Sequence, residues 1–184
     1  RLILKTTSGG NHWDVVKQFW EEVFLNSLYV IDENNVFVTG TKWFISPGSW
    51  SPIGAVIFKT NNSGFHWAEM ITLEDVYNET LWFQNPETGV IVGSYCDGDL
   101  IKGVIVKTND SGLNWSTTIV NQFNNIGGLQ FLDNNNFYFR AHKDTTDYIC
   151  KTEDMFSSWT VKTQHPYSIT SYQYLDNDNA YAIM

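Results

Sequence analysis

The side chains here that carry acid–base or metal chemistry are carboxylates and four scattered histidines, His12, His66, His142 and His165. Asp97-Gly98-Asp99 opens like a calcium loop, in which alternate side chains offer oxygens to one ion. The downstream ligands and the closing glutamate of such a loop are missing. Glycoside hydrolysis needs two carboxylates facing each other across a cleft. The candidates are Asp97, Asp99, Asp144, Asp147, Glu21 and Glu22. They sit in polar runs where solvated charge is the simpler reading, and spacing alone opposes no two of them. There is no Ser-His-Asp elbow, phosphate loop or dinucleotide fingerprint. The expectation is no catalytic residue, no metal site and no cofactor.

The elements that would position any site are repeated. Lys107-Thr108-Asn109-Asp110-Ser111-Gly112-Leu113-Asn114-Trp115 reads as a strand end, a polar turn and the start of a strand. It recurs from Lys5 to Trp13, Lys59 to Trp67 and Lys151 to Trp159. Its tryptophans are 54, 48 and 44 residues apart. A period in the forties to fifties suits four short strands per unit. Between the turns run two β-branched or aromatic stretches joined by Asp-Glu-Asn-Asn, Asn-Pro-Glu-Thr, Asp-Asn-Asn-Asn and Asp-Asn-Asp-Asn. Such residues favour hairpin turns.

The expected fold is all-β, with propeller blades of four antiparallel strands. Repeats fall near 1–26, 27–73, 74–121, 122–165 and 166–184, three complete and two complementary halves, in one propeller domain or a segment of a larger propeller. A turn of helix is expected within Val15 to Leu25.

Composition bounds the partners. At 42% apolar residues the chain buries a core. With net charge −9 and two arginines, Arg1 and Arg140, it lacks the basic stripe that nucleic acid requires. No run of 18 apolar residues crosses a membrane. Cys96 and Cys150 read as two separate thiols, although one disulfide would form in an oxidising compartment.

The turn resembles the Asp-box, or BNR repeat, of pattern Ser/Thr-x-Asp-x-Gly-x-Thr/Ser-Trp. Thr108, Asp110, Gly112 and Trp115 match it best. Thr60, Gly64 and Trp67 keep it with Asn62 at the Asp position, and Thr6, Gly10 and Trp13 with Ser8 there. Thr152, Asp154 and Trp159 keep it with Phe156 in place of glycine. The preceding Lys-Thr makes the chain look like the photosystem II stability/assembly factor-like family. Related units occur in sortilin-type receptors, sialidases and xyloglucanases. The resemblance implies structural turns, each carboxylate capping loop N–H groups and each tryptophan packing between blades. The sialidase site uses three arginines, which this chain cannot supply.

The functional reading is a non-catalytic binding or assembly module, extracytoplasmic (periplasmic, cell-surface or secreted), with a protein or glycan partner. The alternative is a glycan-binding or xyloglucanase-like propeller. If the Lys-Thr turns join third and fourth strands, the loops joining second and third strands emerge at the opposite end. Thr41 to Gly54 is the longest of these and carries Trp43, Phe44 and Trp50; Tyr95 and His142 fall on equivalent loops. Aromatics are costly to expose and often mark partner sites.

Overall fold

The computed structural model describes residues 1–19, 22–133 and 136–184, and of Asn78 and Glu79 the backbone alone. The fold is all-β, and its unit is the four-stranded antiparallel meander of a propeller blade. The chain divides into two compact units, Arg1–Asp75 and Val76–Met184.

In the first unit β1 (Leu2–Lys5) pairs with β2 (Asp14–Gln18). The chain then forms the sheet β3 (Val23–Val30), β4 (Val36–Ser46), β5 (Ser49–Thr60), β6 (Ala68–Glu74), in that order. Among the described residues of Val15 to Leu25 there is no helical turn: the stretch holds the end of one strand and the start of the next, and positions 20 and 21 lie outside the described residues. Its apolar residues serve the two-residue period of strands and not a helical face. Ile3, Phe19, Val23, Val38, Val56 and Phe58 form the core between the two sheets. The Phe19 and Phe58 rings meet edge to face at 4.7 Å.

The second unit holds two complete meanders. One is β7 (Val76–Phe83), β8 (Gly89–Asp97), β9 (Leu100–Thr108) and β10 (Ser116–Val120). The other is β11 (Asn125–Phe131), β12 (Phe137–Lys143), β13 (Thr146–Thr152) and β14 (Thr160–His165). A two-stranded sheet follows, β15 (Ser171–Tyr174) with β16 (Ala180–Ile183). The sheets pack closely. Trp82 of β7 stacks on Phe131 of β11 at 4.0 Å, and a Cβ added to Gly103 of β9 would come within 2.9 Å of Ile126 of β11. Burying such rings and branched side chains contributes about 1.5–3 kcal/mol each.

Register makes the repeat quantitative. Val36 faces Thr60, Gly89 faces Thr108 and Phe137 faces Thr152, so the second and third strands of each meander align residue for residue. The first strand of each carries a bulge, at Leu25/Ser27, Asn78/Thr80 and Gly127/Gln130. One extra residue there bends the strand and adds twist.

Candidate functional site

The Lys-Thr turns form one hydrogen-bond pattern. The buried hydroxyls of Thr60, Thr108 and Thr152, and that of Thr6, accept the N–H four residues on, from Gly64, Gly112, Phe156 and Gly10 at 2.9–3.1 Å. Each of the three buried hydroxyls donates to an oxygen two residues on, in Asn62, Asp110 or Asp154, at 2.9–3.0 Å. That oxygen accepts the N–H of His66, Asn114 or Ser158 at 2.8–2.9 Å. Ser8 does the same for the His12 N–H at 2.9 Å. Two consecutive residues in each turn are left-handed: Gly9 and Gly10, Ser63 and Gly64, Ser111 and Gly112, Met155 and Phe156. These bonds hold the Asp154 carboxyl down at about 2, through the Ser158 hydroxyl first and the Ser158 N–H next. Asp110 is lowered likewise, by the Asn114 N–H and then the Asn114 amide. Both carboxylates are engaged within their own turns.

Trp43, Phe44 and Trp50 stand elsewhere, and not on a loop. β4 and β5 continue past the sheet as a two-stranded ribbon, paired from Trp43 with Pro52 to Ser46 with Ser49, and turned by Pro47 and Gly48 (φ 81°). β3 stops pairing at Lys42 and β6 at Gly54. The sequence looked like a loop because two prolines and a glycine interrupt it. Yet Pro52 tolerates the outer position of a ribbon where a central strand would not. A bulge at Lys42/Trp43 marks where the ribbon leaves the sheet.

Paired residues share a face, so Trp43, Ile45, Trp50 and Pro52 lie on one side and Phe44 on the other. Trp43 is half-buried against Phe24, centroids 5.7 Å apart, and its backbone N–H donates to Glu22 O at 2.7 Å. Phe44 and Trp50 remain 59% and 53% exposed.

Tyr95 and His142 belong to the other unit. Both are strand residues of the second unit, Tyr95 on β8 opposite Lys102 and His142 on β12 opposite Asp147. The loops expected to carry them are shorter, because each hairpin pairs almost to its tip. His142 Nδ1 lies 2.6 Å from Oδ1 of the buried Asp147, whose Oδ2 accepts the Ile169 N–H at 2.6 Å. On the carbonyl side of the same residue, Arg140 Nη1 donates to Ile169 O at 2.6 Å. Two side chains thus clamp one buried residue ahead of β15.

Arg140 escaped the sequence reading. Its signal is positional: the aligned residues of the other meanders are Thr39 and Val92, both buried and uncharged. An arginine there breaks the repeat. Arg140 lines a cavity of about 430 Å³ beside β15.

The candidate acids fall at hairpin ends and strand positions. Asp97 and Asp99 flank Gly98 in the β8–β9 turn, Asp144 occupies the β12–β13 turn, and Glu21 lies outside the described residues. Among the described residues no three His, Cys, Asp or Glu side chains group as metal ligands. Cys96 and Cys150 are not joined in a disulfide; Cys150 is fully buried, which pushes its thiol up to about 12.

No protein-family model matches the chain, and no curated protein matches it. Among solved structures it is similar to one described as "YCF48 bound to D1 peptide", at 13% identity and a TM-score of 0.31. The match covers 97% of this chain and 82% of that one. At that distance the likeness assigns neither a family nor a partner.

Proposed function

We propose that this chain is a non-catalytic binding module whose β4–β5 ribbon takes a protein partner. One observation carries the reading: Phe44 and Trp50 stay more than half exposed on a ribbon that projects beyond its sheet. Isolated exposed aromatics are ordinary on protein surfaces. These two sit on a paired, hydrogen-bonded ribbon, so little side-chain freedom remains to be lost on binding. Trp43, held on Phe24, anchors the ribbon's base. Assignment of the turns to the Asp-box, kinship with the photosystem II stability/assembly factor-like family and an extracytoplasmic location rest on the sequence resemblance alone.

The test probes a peptide array and a glycan array with the wild type and a Phe44→Ala/Trp50→Ala double variant. The expected result is binding to apolar and aromatic peptides that the double variant loses while melting like the wild type. Binding on the glycan array lost in the same way would transfer the ribbon to a carbohydrate partner. Absence of any binding that the double variant removes would overturn the reading.

A further inference from the structure

We propose that Arg140 is the recognition residue of a second site, within Val76–Met184, that binds a small monoanionic carboxylate. The chain carries 20 acidic against 11 basic residues, yet among the described residues no carboxylate pairs with Arg140. Asp147, the buried acid of the same sheet, spends its two oxygens on His142 and the Ile169 N–H. Arg140 therefore has no direct ion-pair partner among the described residues.

The guanidinium is fixed on one side only. Nη1 donates to Ile169 O, whereas Nε is buried and has no partner, an orphaned donor of the kind that folded proteins rarely keep. Nε and Nη2 form the side-on edge of the fork, whose two parallel N–H groups match the two oxygens of a carboxylate. The cavity of about 430 Å³ on which Arg140 borders has room for a ligand of several heavy atoms. Its walls are braced. The Tyr172 hydroxyl donates to Gly128 O, and Gln130 pairs through both amide atoms with the Tyr174 backbone. Thr170, Ser171 and Gln173 complete a polar rim.

A carboxylate seated on Nη2 draws the Nε–H to itself by a small rotation of the guanidinium, and both unspent donors are then satisfied. Arg140 is the one cation among the lining residues, in a chain of net charge −9, which favours a monoanion over phosphate, whose second charge would find no lining cation to pair with.

Calorimetric titration with benzoate, its neutral isostere benzamide and inorganic phosphate tests this on the whole chain. Benzoate is expected to saturate one site and benzamide to give no binding. Arg140→Lys, a point charge without the fork, should weaken benzoate by about tenfold, and Arg140→Gln should abolish it. Should Arg140→Gln fail to fold, Ser171→Phe, which fills the cavity from its exposed rim, must abolish the signal with the arginine intact. No saturation by benzoate, equal binding of benzamide, tighter binding of phosphate, or binding that survives in a folded Arg140→Gln or Ser171→Phe protein would each overturn the site. The ribbon variants lie in the other unit, so failure here leaves that reading untouched.

Discussion

The Phe156 N–H donates to the Thr152 hydroxyl at 3.1 Å, the bond that Gly112 makes to Thr108 at 2.9 Å. Phe156 does so at φ 64°, a conformation that costs a side-chain-bearing residue about 1–2 kcal/mol. Its ring is buried against Phe139, centroids 5.2 Å apart. Removing a buried phenylalanine costs about 3–5 kcal/mol, more than the backbone relief returns. Phe156→Gly, although it restores the repeat pattern, is expected to destabilise the chain by about 2–3 kcal/mol in denaturant unfolding. A gain in stability would show that backbone strain dominates.

The threonine is the indispensable member of each turn. Thr108→Val keeps the volume but leaves the buried Gly112 N–H without an acceptor, a loss of about 1–3 kcal/mol. Asp110→Asn should stay within about 0.5 kcal/mol of wild type, because Asn62 already fills the same role in its own turn. Urea midpoints of the two variants should differ accordingly, and equal midpoints would refute the ranking.

Acid stability should report Asp154. Its pKa is depressed in the fold, to about 2, relative to the ordinary aspartate value. Its contribution is therefore fully present above the unfolded pKa and is lost as pH falls from there through about 2. The Ser158→Ala variant lacks the hydroxyl that does most to lower this pKa, so its carboxyl should titrate higher by NMR and its acid unfolding should begin at higher pH. An unchanged titration would place the cause elsewhere.

The ribbon residues should separate by substitution. Trp43→Ala removes a ring packed on Phe24 and should cost about 1–3 kcal/mol. Trp50→Ala and Phe44→Ala, at exposed positions, should stay within about 0.5 kcal/mol of wild type. Thermal unfolding of the three variants checks this. A large loss at Trp50 would mark it as packing and not as recognition surface.

Asp147→Ala strips the partner from His142 and from the buried Ile169 N–H at once. A loss of about 2–4 kcal/mol is expected, with faster hydrogen exchange at Ile169. Unchanged protection at Ile169 would show that the carboxylate does not hold this segment.

Strand number, meander order and the Lys-Thr turns were legible in the chain because they depend on local chemistry. Alternating apolar residues, Asx turns and a threonine hydroxyl reaching four residues on act within about ten positions of sequence. The shape of Thr41 to Gly54 was not legible. Two prolines and a glycine mark a loop locally, but the pairing of Ile45 with Trp50 and of Trp43 with Pro52 extends the hairpin and places Phe44 and Trp50 in solvent.

Nor was the state of Arg140. From sequence it was one of two arginines in an acidic chain. Only packing shows that the nearby acid, Asp147, bonds to His142 and Ile169, which leaves the guanidinium without a direct ion pair among the described residues, half-satisfied and beside a cavity. Short-range hydrogen bonding wrote the repeat into the sequence. Which side chains remain unspent depends on groups brought together from distant positions, and the tertiary structure alone decided that.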